Sequence, residues 1–203
     1  CRRRWWTRLA RMKSTGKIES ARFFFALSPD ARCRRRLSTI ADQLAARCGG
    51  SATSKETLHL TLAFVGELPL ARLPGLLAAA GDVAQAVGEA FAAGLFVLDR
   101  LRYWPSGKML WATCADCPPR LEALAAALAG RLLAQDLVLA PRAWLAHVTL
   151  LRRVAVLPTS ADLDALRRAP VRWPYRDFVL LRSFPGVAGA GYECLGRWPL
   201  RDG

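Results

Sequence analysis

The sequence contains two histidines, and both lie in matching tetrapeptides, HLTL in the first half of the chain and HVTL in the second. Alternate side chains of a β-strand point to the same face, so each motif on a strand presents an imidazole together with a hydroxyl. The two apolar residues of each motif then anchor the opposite face. We predict that His59, Thr61, His147 and Thr149 line one pocket.

A pair of imidazoles suits acid–base chemistry because each titrates near neutral pH and can supply either role. In-line displacement at phosphorus needs a base where the nucleophile enters and an acid where the oxygen leaves. Threonine hydroxyls can donate hydrogen bonds to the non-bridging oxygens, which carry the developing charge. The motifs therefore predict phosphoryl chemistry that needs no metal ion.

The six cysteines are scattered and include one CxxC, formed by Cys114 and Cys117. A structural zinc site needs four ligands, and the chain has no second CxxC and no spare histidine pair. We expect small, buried thiols, with a redox pair at Cys114 and Cys117 as the alternative. We expect no metal and no other cofactor.

The composition indicates a globular protein, because 53% of the 203 residues are hydrophobic. Half of the net charge of +14 lies in residues 1–22, which hold eight Lys or Arg and one Glu. We interpret residues 1–21 as a basic, disordered extension, or alternatively as an arm that attracts phosphates or a membrane surface, and residues 22–203 as a single bilobal domain. The sequence shows no membrane span and no secretory signal, so we expect a cytoplasmic protein.

Helices and short strands must position the motifs. Apolar patterns predict strands at 22–27, 58–67, 91–104, 108–114, 146–154, 173–184 and 192–200. They predict helices that begin at Ser28 and Pro29 and end at Cys48, and others at 71–88, with Gly88 as the stop, 118–135 and 159–169. Because hairpins join several strands, we expect an α+β fold with antiparallel sheets.

The segments RFFFALSPD, LHLTLAFVGEL and AHVTLLRRV resemble the two-histidine (2H) phosphoesterases, most closely the bacterial RNA 2′,3′-cyclic phosphodiesterases, also called RNA 2′,5′-ligases. The resemblance extends from residue 22 to about residue 200 and includes DRLRYWPSGKMLWA. It implies a bilobal, pseudo-symmetric α+β fold, in which two antiparallel sheets flanked by helices hold the active site in the groove between the lobes. It also implies hydrolysis of RNA 2′,3′-cyclic phosphate ends to 2′-phosphomonoesters, with possible reversible 2′-5′ ligation.

The resemblance assigns His59 as the proton donor to the leaving 3′ oxygen and His147 as the proton acceptor from water. Thr61 and Thr149 would hold phosphate oxygens. The resemblance also implies a basic residue near the phosphate at Arg152, although regular alternation places this side chain on the face opposite His147. The implied partner is RNA with a cyclic phosphate end or a related nucleotide, and we expect a monomer that does not bind membranes.

Three further features are left open by the sequence. Arg22 opens the first strand and is either a ligand contact or a solvated residue. Tyr103 and Trp104 either stack on a base or belong to the core and a turn. The segment RAWLA, residues 142–146, departs from the Arg-Pro pair that relatives often carry before the second motif.

Two other functions are compatible with the residues. The first is a 2H activity on a small cyclic nucleotide or an oligoadenylate, since recognition beyond the phosphate lies in loops. The second is a non-catalytic, basic RNA-binding protein. That function would be indicated by damage to one HxTL motif, and both motifs are complete.

Overall fold

The computed structural model describes residues 19–85, 92–137, 143–186 and 189–201. Its strands are β1 Ser20–Leu27, β2 Ser51–Ala52, β3 Leu60–Pro69, β4 Gly94–Leu98, β5 Arg100–Trp104, β6 Met109–Thr113, β7 His147–Arg152, β8 Val171–Tyr175, β9 Asp177–Gly186 and β10 Gly189–Pro199. The α-helices are α1 Ala31–Cys48, α2 Leu73–Gln85, α3 Pro119–Leu133, α4 Ser160–Leu163 and α5 Ala165–Arg168. Short 3₁₀ helices span Leu70–Arg72 and Pro105–Gly107.

Each HxT motif lies in a different antiparallel sheet. The first sheet has the strand order β10-β9-β1-β3, with β3 at its edge and His59 immediately before that strand. The second sheet has the order β2-β7-β6-β5, with His147 as the first residue of β7. A separate antiparallel pair joins β4 to β8. The sheets and helices confirm the predicted α+β class.

The helices cover the sides of the sheets that the motif side chains do not occupy. Helices α2 and α3 pack together and against strands of the first sheet. Helix α1 packs against β7 and β2 of the second sheet and also against β8. Its apolar stripe consists of residues three or four apart, which fall on one helix face: Cys33, Leu37, Ala41, Leu44 and Cys48. One continuous apolar core follows between helices and sheets.

Local chemistry sets the ends of α1. The predicted start at Ser28 and Pro29 is wrong by two residues, because the Asp30 carboxylate accepts a hydrogen bond of 2.7 Å from the Cys33 amide and caps the helix. Gly49 follows the last helical residue with φ +64°, a conformation that favours glycine, and its amide donates to the Ala45 carbonyl.

Two predicted long strands are each interrupted. The predicted strand 91–104 is two strands, β4 and β5, because the chain changes partner at Asp99, from β8 to β6. The predicted strand 173–184 divides into β8 and β9 around Arg176 for the same reason, since β8 pairs with β4 and β9 with β1 and β10. The helix predicted at 159–169 is two short helices, α4 and α5.

Other sequence predictions agree with the structure or lie outside its described residues. Strand β1 begins at Ser20, two residues before the predicted start, and β9 and β10 extend into the glycine-rich turn. The stop at Gly88 lies outside the described residues, as do residues 1–18 of the basic extension. In the described part of the chain every cysteine is a free thiol. No described helix is both long and apolar enough to cross a membrane.

Candidate active site

The two motifs present the same alternation of buried and accessible residues. His59 and Thr61 are half-buried, and the leucines that follow each of them are buried. His147 and Thr149 are likewise half-buried, with Val148 and Leu150 in the core. The imidazole and the hydroxyl of each motif therefore share the accessible face of their strand, as the spacing predicts. We call this side of each sheet the histidine face.

Both imidazoles are held by the same backbone contact. The His59 Nδ1 lies 2.7 Å from the carbonyl oxygen of Thr57, and the His147 Nδ1 lies 2.8 Å from the carbonyl oxygen of Leu145. A carbonyl oxygen can only accept, so Nδ1 donates and carries a proton in both rings. The exchangeable proton position is consequently Nε2 on each histidine.

Each motif strand also contains a β-bulge immediately after its threonine. In the first sheet Thr61 pairs with Ala26 and Ala63 pairs with Phe25, which leaves Leu62 as an extra residue. In the second sheet Thr149 pairs with Trp111 and the next pair is Leu110 with Leu151. A bulge of one residue shifts the alternation, so that the side chains beyond it change faces.

Because of the second bulge, Arg152 does not lie on the face opposite His147, where regular alternation would place it. Leu150 and Leu151 are both buried, and Arg152, the next residue, is exposed. Its Nη1 donates to the Met109 Sδ at 3.5 Å, and Met109 lies two residues from Trp111 on the same face of β6. Arg152 is thus on the histidine face together with His147 and Thr149.

The charge of Arg152 acts on both histidines. Burial is the main cause that lowers the pKa of His59 below the ordinary value of 6.5; the hydrogen bond to Thr57 raises it, and the charges of Arg152 and His147 lower it further. Burial also lowers the pKa of His147, again opposed by its carbonyl contact and reinforced by Arg152. Arg152 therefore acts electrostatically on both histidines, and His147 acts on His59.

Aromatic side chains form a different wall beside each imidazole. Phe24 of β1 and Tyr192 of β10 contact the His59 ring, with ring centroids 4.9 and 5.2 Å away. The Trp111 ring of β6 is stacked on the His147 ring at 4.1 Å, and Trp104 is stacked on Trp111 at 4.9 Å. Phe24, Tyr192 and Trp111 are not among the site residues predicted from the sequence. Alternation along the strands FFF and KMLWATC is the signal that points to Phe24 and Trp111.

The residues left open by the sequence now have positions. Tyr103 packs against the main core, whereas Trp104 is 37% exposed and reaches the site through Trp111. Arg22 is exposed on β1, two residues before Phe24 and so on the same face, and no contact with the histidines is described for it. Trp144 lies before the second motif, and its indole Nε1 donates to the Thr61 carbonyl oxygen at 3.0 Å.

The described residues form no metal-binding cluster, and the two histidines do not line either of two surface cavities. Within the described ranges, no group of three His, Cys, Asp or Glu side chains is placed to hold a metal ion. Two surface cavities of about 500 and 590 Å³ run along α1 and share Arg32 and Arg36, and neither histidine lines them. Both histidines therefore lie outside these two cavities.

Comparisons with known proteins identify the architecture. The family model of LigT-like phosphoesterases matches residues 27–109. E. coli LigT in apo form is 23% identical, with a TM-score of 0.75, over 91% of this chain and 99% of that chain. E. coli LigT solved with 3′-AMP is 24% identical, with a TM-score of 0.73, over 90% and 99%. The protein TT0787 of Thermus thermophilus is 26% identical, with a TM-score of 0.68, over 89% and 98%. No curated protein sequence matches significantly.

Proposed function

We propose that this chain is a LigT-like phosphoesterase of the 2H superfamily and that it opens 2′,3′-cyclic phosphate ends of RNA to 2′-phosphomonoesters by two-histidine acid–base catalysis. The observation that carries the proposal is the matched pair of imidazoles. Each fixes Nδ1 on a backbone carbonyl and keeps Nε2 for proton exchange, and the charge of His147 acts on His59. A phosphoryl group between the two Nε2 atoms would meet an acid on one side and a base on the other.

In the proposed reaction, the neutral His147 accepts a proton from water through Nε2 as the water oxygen bonds to phosphorus. The bond between phosphorus and the 3′ oxygen breaks, and protonated His59 gives its Nε2 proton to that oxygen. The product is a 2′-phosphomonoester with a free 3′ hydroxyl. The reaction leaves His59 neutral and His147 protonated, and exchange with solvent restores the starting forms.

Three further side chains support this chemistry by stabilising charge on the non-bridging oxygens. The hydroxyls of Thr61 and Thr149 share a face with their histidines and can donate to these oxygens. Arg152 supplies a guanidinium whose charge acts on both imidazoles. In the same proposal Arg152 faces the anionic substrate, which favours binding as well as the transition state.

Nucleotide substrates are also supported by the ligands of E. coli LigT, which has been solved with 3′-AMP and with phosphate. Both ligands contain the phosphate group that the two motifs here would surround. Trp104, which is 37% exposed and stacked on Trp111, offers a surface for the nucleoside part. We propose RNA ends rather than free nucleotides as the substrate. Reversible 2′-5′ ligation would use the same acid and base, with an RNA 5′ hydroxyl in place of water as the nucleophile and the 3′ oxygen again as the leaving group.

A turnover experiment tests the proposal. The protein is incubated in EDTA with a nucleoside 2′,3′-cyclic phosphate and with an oligoribonucleotide that ends in a cyclic phosphate, and the products are identified by ³¹P NMR. We expect turnover that EDTA does not abolish, with the phosphate on the 2′ oxygen. A 3′-phosphate product would contradict the assigned leaving group, and turnover of mononucleotides alone would point to the small-nucleotide activity.

A further inference from the structure

Trp144 connects the second motif to the strand of the first. Its indole N–H donates to the Thr61 carbonyl oxygen at 3.0 Å, so a residue three positions before His147 is bonded to a residue two positions after His59. The Trp144 side chain is half-buried and packs against the main core. The contact crosses from the segment that leads into β7 of the second sheet to β3 of the first.

The carbonyl that Trp144 uses lies on an edge strand. Strand β3 pairs with β1 on one side and has no ladder partner on the other side among the described strands. Carbonyl groups on the outer side of an edge strand therefore lack a partner within their sheet. Trp144 satisfies one of them at the residue whose hydroxyl is proposed to hold the phosphate.

The short segment between Trp144 and His147 is fixed at each step. The Leu145 carbonyl accepts from His147 Nδ1 at 2.8 Å, and the Ala146 carbonyl accepts from the buried Thr113 hydroxyl at 2.6 Å. Thr113 pairs with His147 across β6 and β7. The segment is thus bonded to the first motif strand at Trp144, to the second sheet at Ala146 and to the second imidazole at Leu145.

We propose that Trp144 is a positioning residue that sets the separation of the two catalytic imidazoles, and this inference rests on the proposed function. The two motif strands belong to different sheets, so no ladder of backbone hydrogen bonds between the described strands holds them in register. The hydrogen bond from the Trp144 indole links the segment that leads into β7 directly to β3. It lies in RAWLA, the segment where this sequence departs from the Arg-Pro pattern of the 2H phosphoesterases.

Small errors in this separation are costly in rate, because acid and base must both be within hydrogen-bond reach of one phosphoryl group. Loss of the indole donor is therefore expected to lower kcat more than it weakens binding. It should also raise the pKa of His59 toward its ordinary value, since burial and the charges of Arg152 and His147 lower that pKa and a larger separation of the two motifs weakens all three effects.

The test compares Trp144→Phe with Trp173→Phe. Trp173 is a matched control, because it is fully buried and its indole nitrogen has no hydrogen-bond partner among the described residues. For Trp144→Phe we expect kcat for a nucleoside 2′,3′-cyclic phosphate to fall about tenfold, with KM within about twofold. The control should retain the wild-type kcat once the two variants are compared at temperatures where circular dichroism shows both to be folded.

An NMR titration of the two imidazoles keeps this test separate from the proposed function. The sequence has only two histidines, so each ring gives its own assignable signals. We expect the pKa of His59 to rise in Trp144→Phe and to stay unchanged in Trp173→Phe. Equal kcat and equal imidazole pKa values in the two variants would overturn the positioning role. Absence of turnover in the wild type would instead overturn the proposed function and leave the titration to decide the role of Trp144.

Should Trp144→Phe fail to fold, the tryptophan analogue with a benzothiophene ring at position 144 replaces it. This ring keeps the shape of the indole and has sulfur in place of the N–H, so packing is retained and the donor alone is lost. The same fall in kcat and the same rise in the His59 pKa are expected. A wild-type result with this analogue would overturn the role of the donor and show that only the packing of Trp144 matters.

Discussion

The two motif strands share their backbone design and differ in the side chains around it. Each has a histidine held by the carbonyl two residues earlier, a threonine on the same face, and a bulge immediately after the threonine. Five residues after each histidine the symmetry ends, with Phe64 in β3 and Arg152 in β7. Phe64 pairs with Phe24 on the histidine face and is 49% exposed. The pseudo-symmetric halves thus provide two similar imidazoles, whereas the permanent charge comes from one strand.

The surroundings of the imidazoles extend this difference. His59 immediately precedes the edge strand of its sheet and contacts Phe24 and Tyr192. His147 lies on an inner strand and is stacked on Trp111. The first sheet also contains a small apolar cluster, which consists of Phe24, Ala26, Val179 and Leu181. We infer that the motif backbone determines where protons are exchanged, and that the unequal neighbours determine how the phosphate and the nucleoside are oriented.

The largest expected effect concerns the feature that the strands share. His59→Ala and His147→Ala should each reduce kcat by a factor of about 10² to 10⁴, because each removes one of the two proton transfers. Steady-state turnover of a nucleoside 2′,3′-cyclic phosphate measures both. Near-normal turnover in either variant would break the equivalence of the two motifs.

The next effect concerns the feature in which the strands differ. Arg152→Met should lower kcat/KM by about 10² to 10³, since it removes a fixed charge from the developing oxyanion. Phe64→Met at the equivalent position should change kcat/KM by less than about threefold, because no charge is lost. Comparable losses of kcat/KM in both variants would show that the charge of Arg152 does not stabilise the transition state.

The threonines test whether the two halves hold the phosphate equally. Thr61→Val and Thr149→Val keep the shape of the side chain and remove one donor to a charged oxygen, which is worth about 1.5 to 3 kcal/mol, or about 10- to 100-fold. We expect losses of this size in kcat/KM for both variants. A loss confined to one of them would place the phosphate against one strand only.

The smallest effect is a displacement of the pH profile. One imidazole must be protonated and the other neutral, and both pKa values are lowered, first by burial, so kcat/KM should reach its maximum below pH 6.5. Arg152→Met removes a charge that lowers both values, so the residual activity should show its maximum at higher pH. If the pH of maximal activity in the variant is unchanged or lower, the charge of Arg152 does not lower the pKa values of the two imidazoles.

The local pattern of the motifs could be read from the sequence because it depends on neighbours two residues apart. Alternation along HLTL and HVTL predicts which residues are buried, and the structure agrees. The side on which Arg152 lies could not be derived in this way, because the bulge at Leu150 depends on the register with β6, more than 35 residues away in sequence. Tyr192 was missed for the same reason, since it meets His59 only after the first sheet has assembled.

Element ends were predicted less well than element types. The apolar pattern on both sides of Asp99 predicts one strand, but the structure has two. The strand ends at Asp99 because the chain changes its partner strand there, and a local sequence pattern contains no information about partner strands. Around this break the Asp99 amide donates to the Thr113 carbonyl at 3.1 Å, and its carboxylate accepts from the Ala115 amide at 2.8 Å. Helix α1 is capped by Asp30 and not by the predicted Ser28, because both residue types are good N-caps and the sequence alone does not distinguish them.

The convergence of the two imidazoles on one phosphoryl group is tested most directly by titrating the wild-type protein with a nucleoside 2′-phosphate while observing both histidine rings by NMR. The signals of His59 and His147 should shift together with a single dissociation constant. The pKa of each ring should rise in the complex, because a phosphate dianion favours both imidazolium forms. A response from one ring alone, with the other unchanged at saturation, would contradict a shared site.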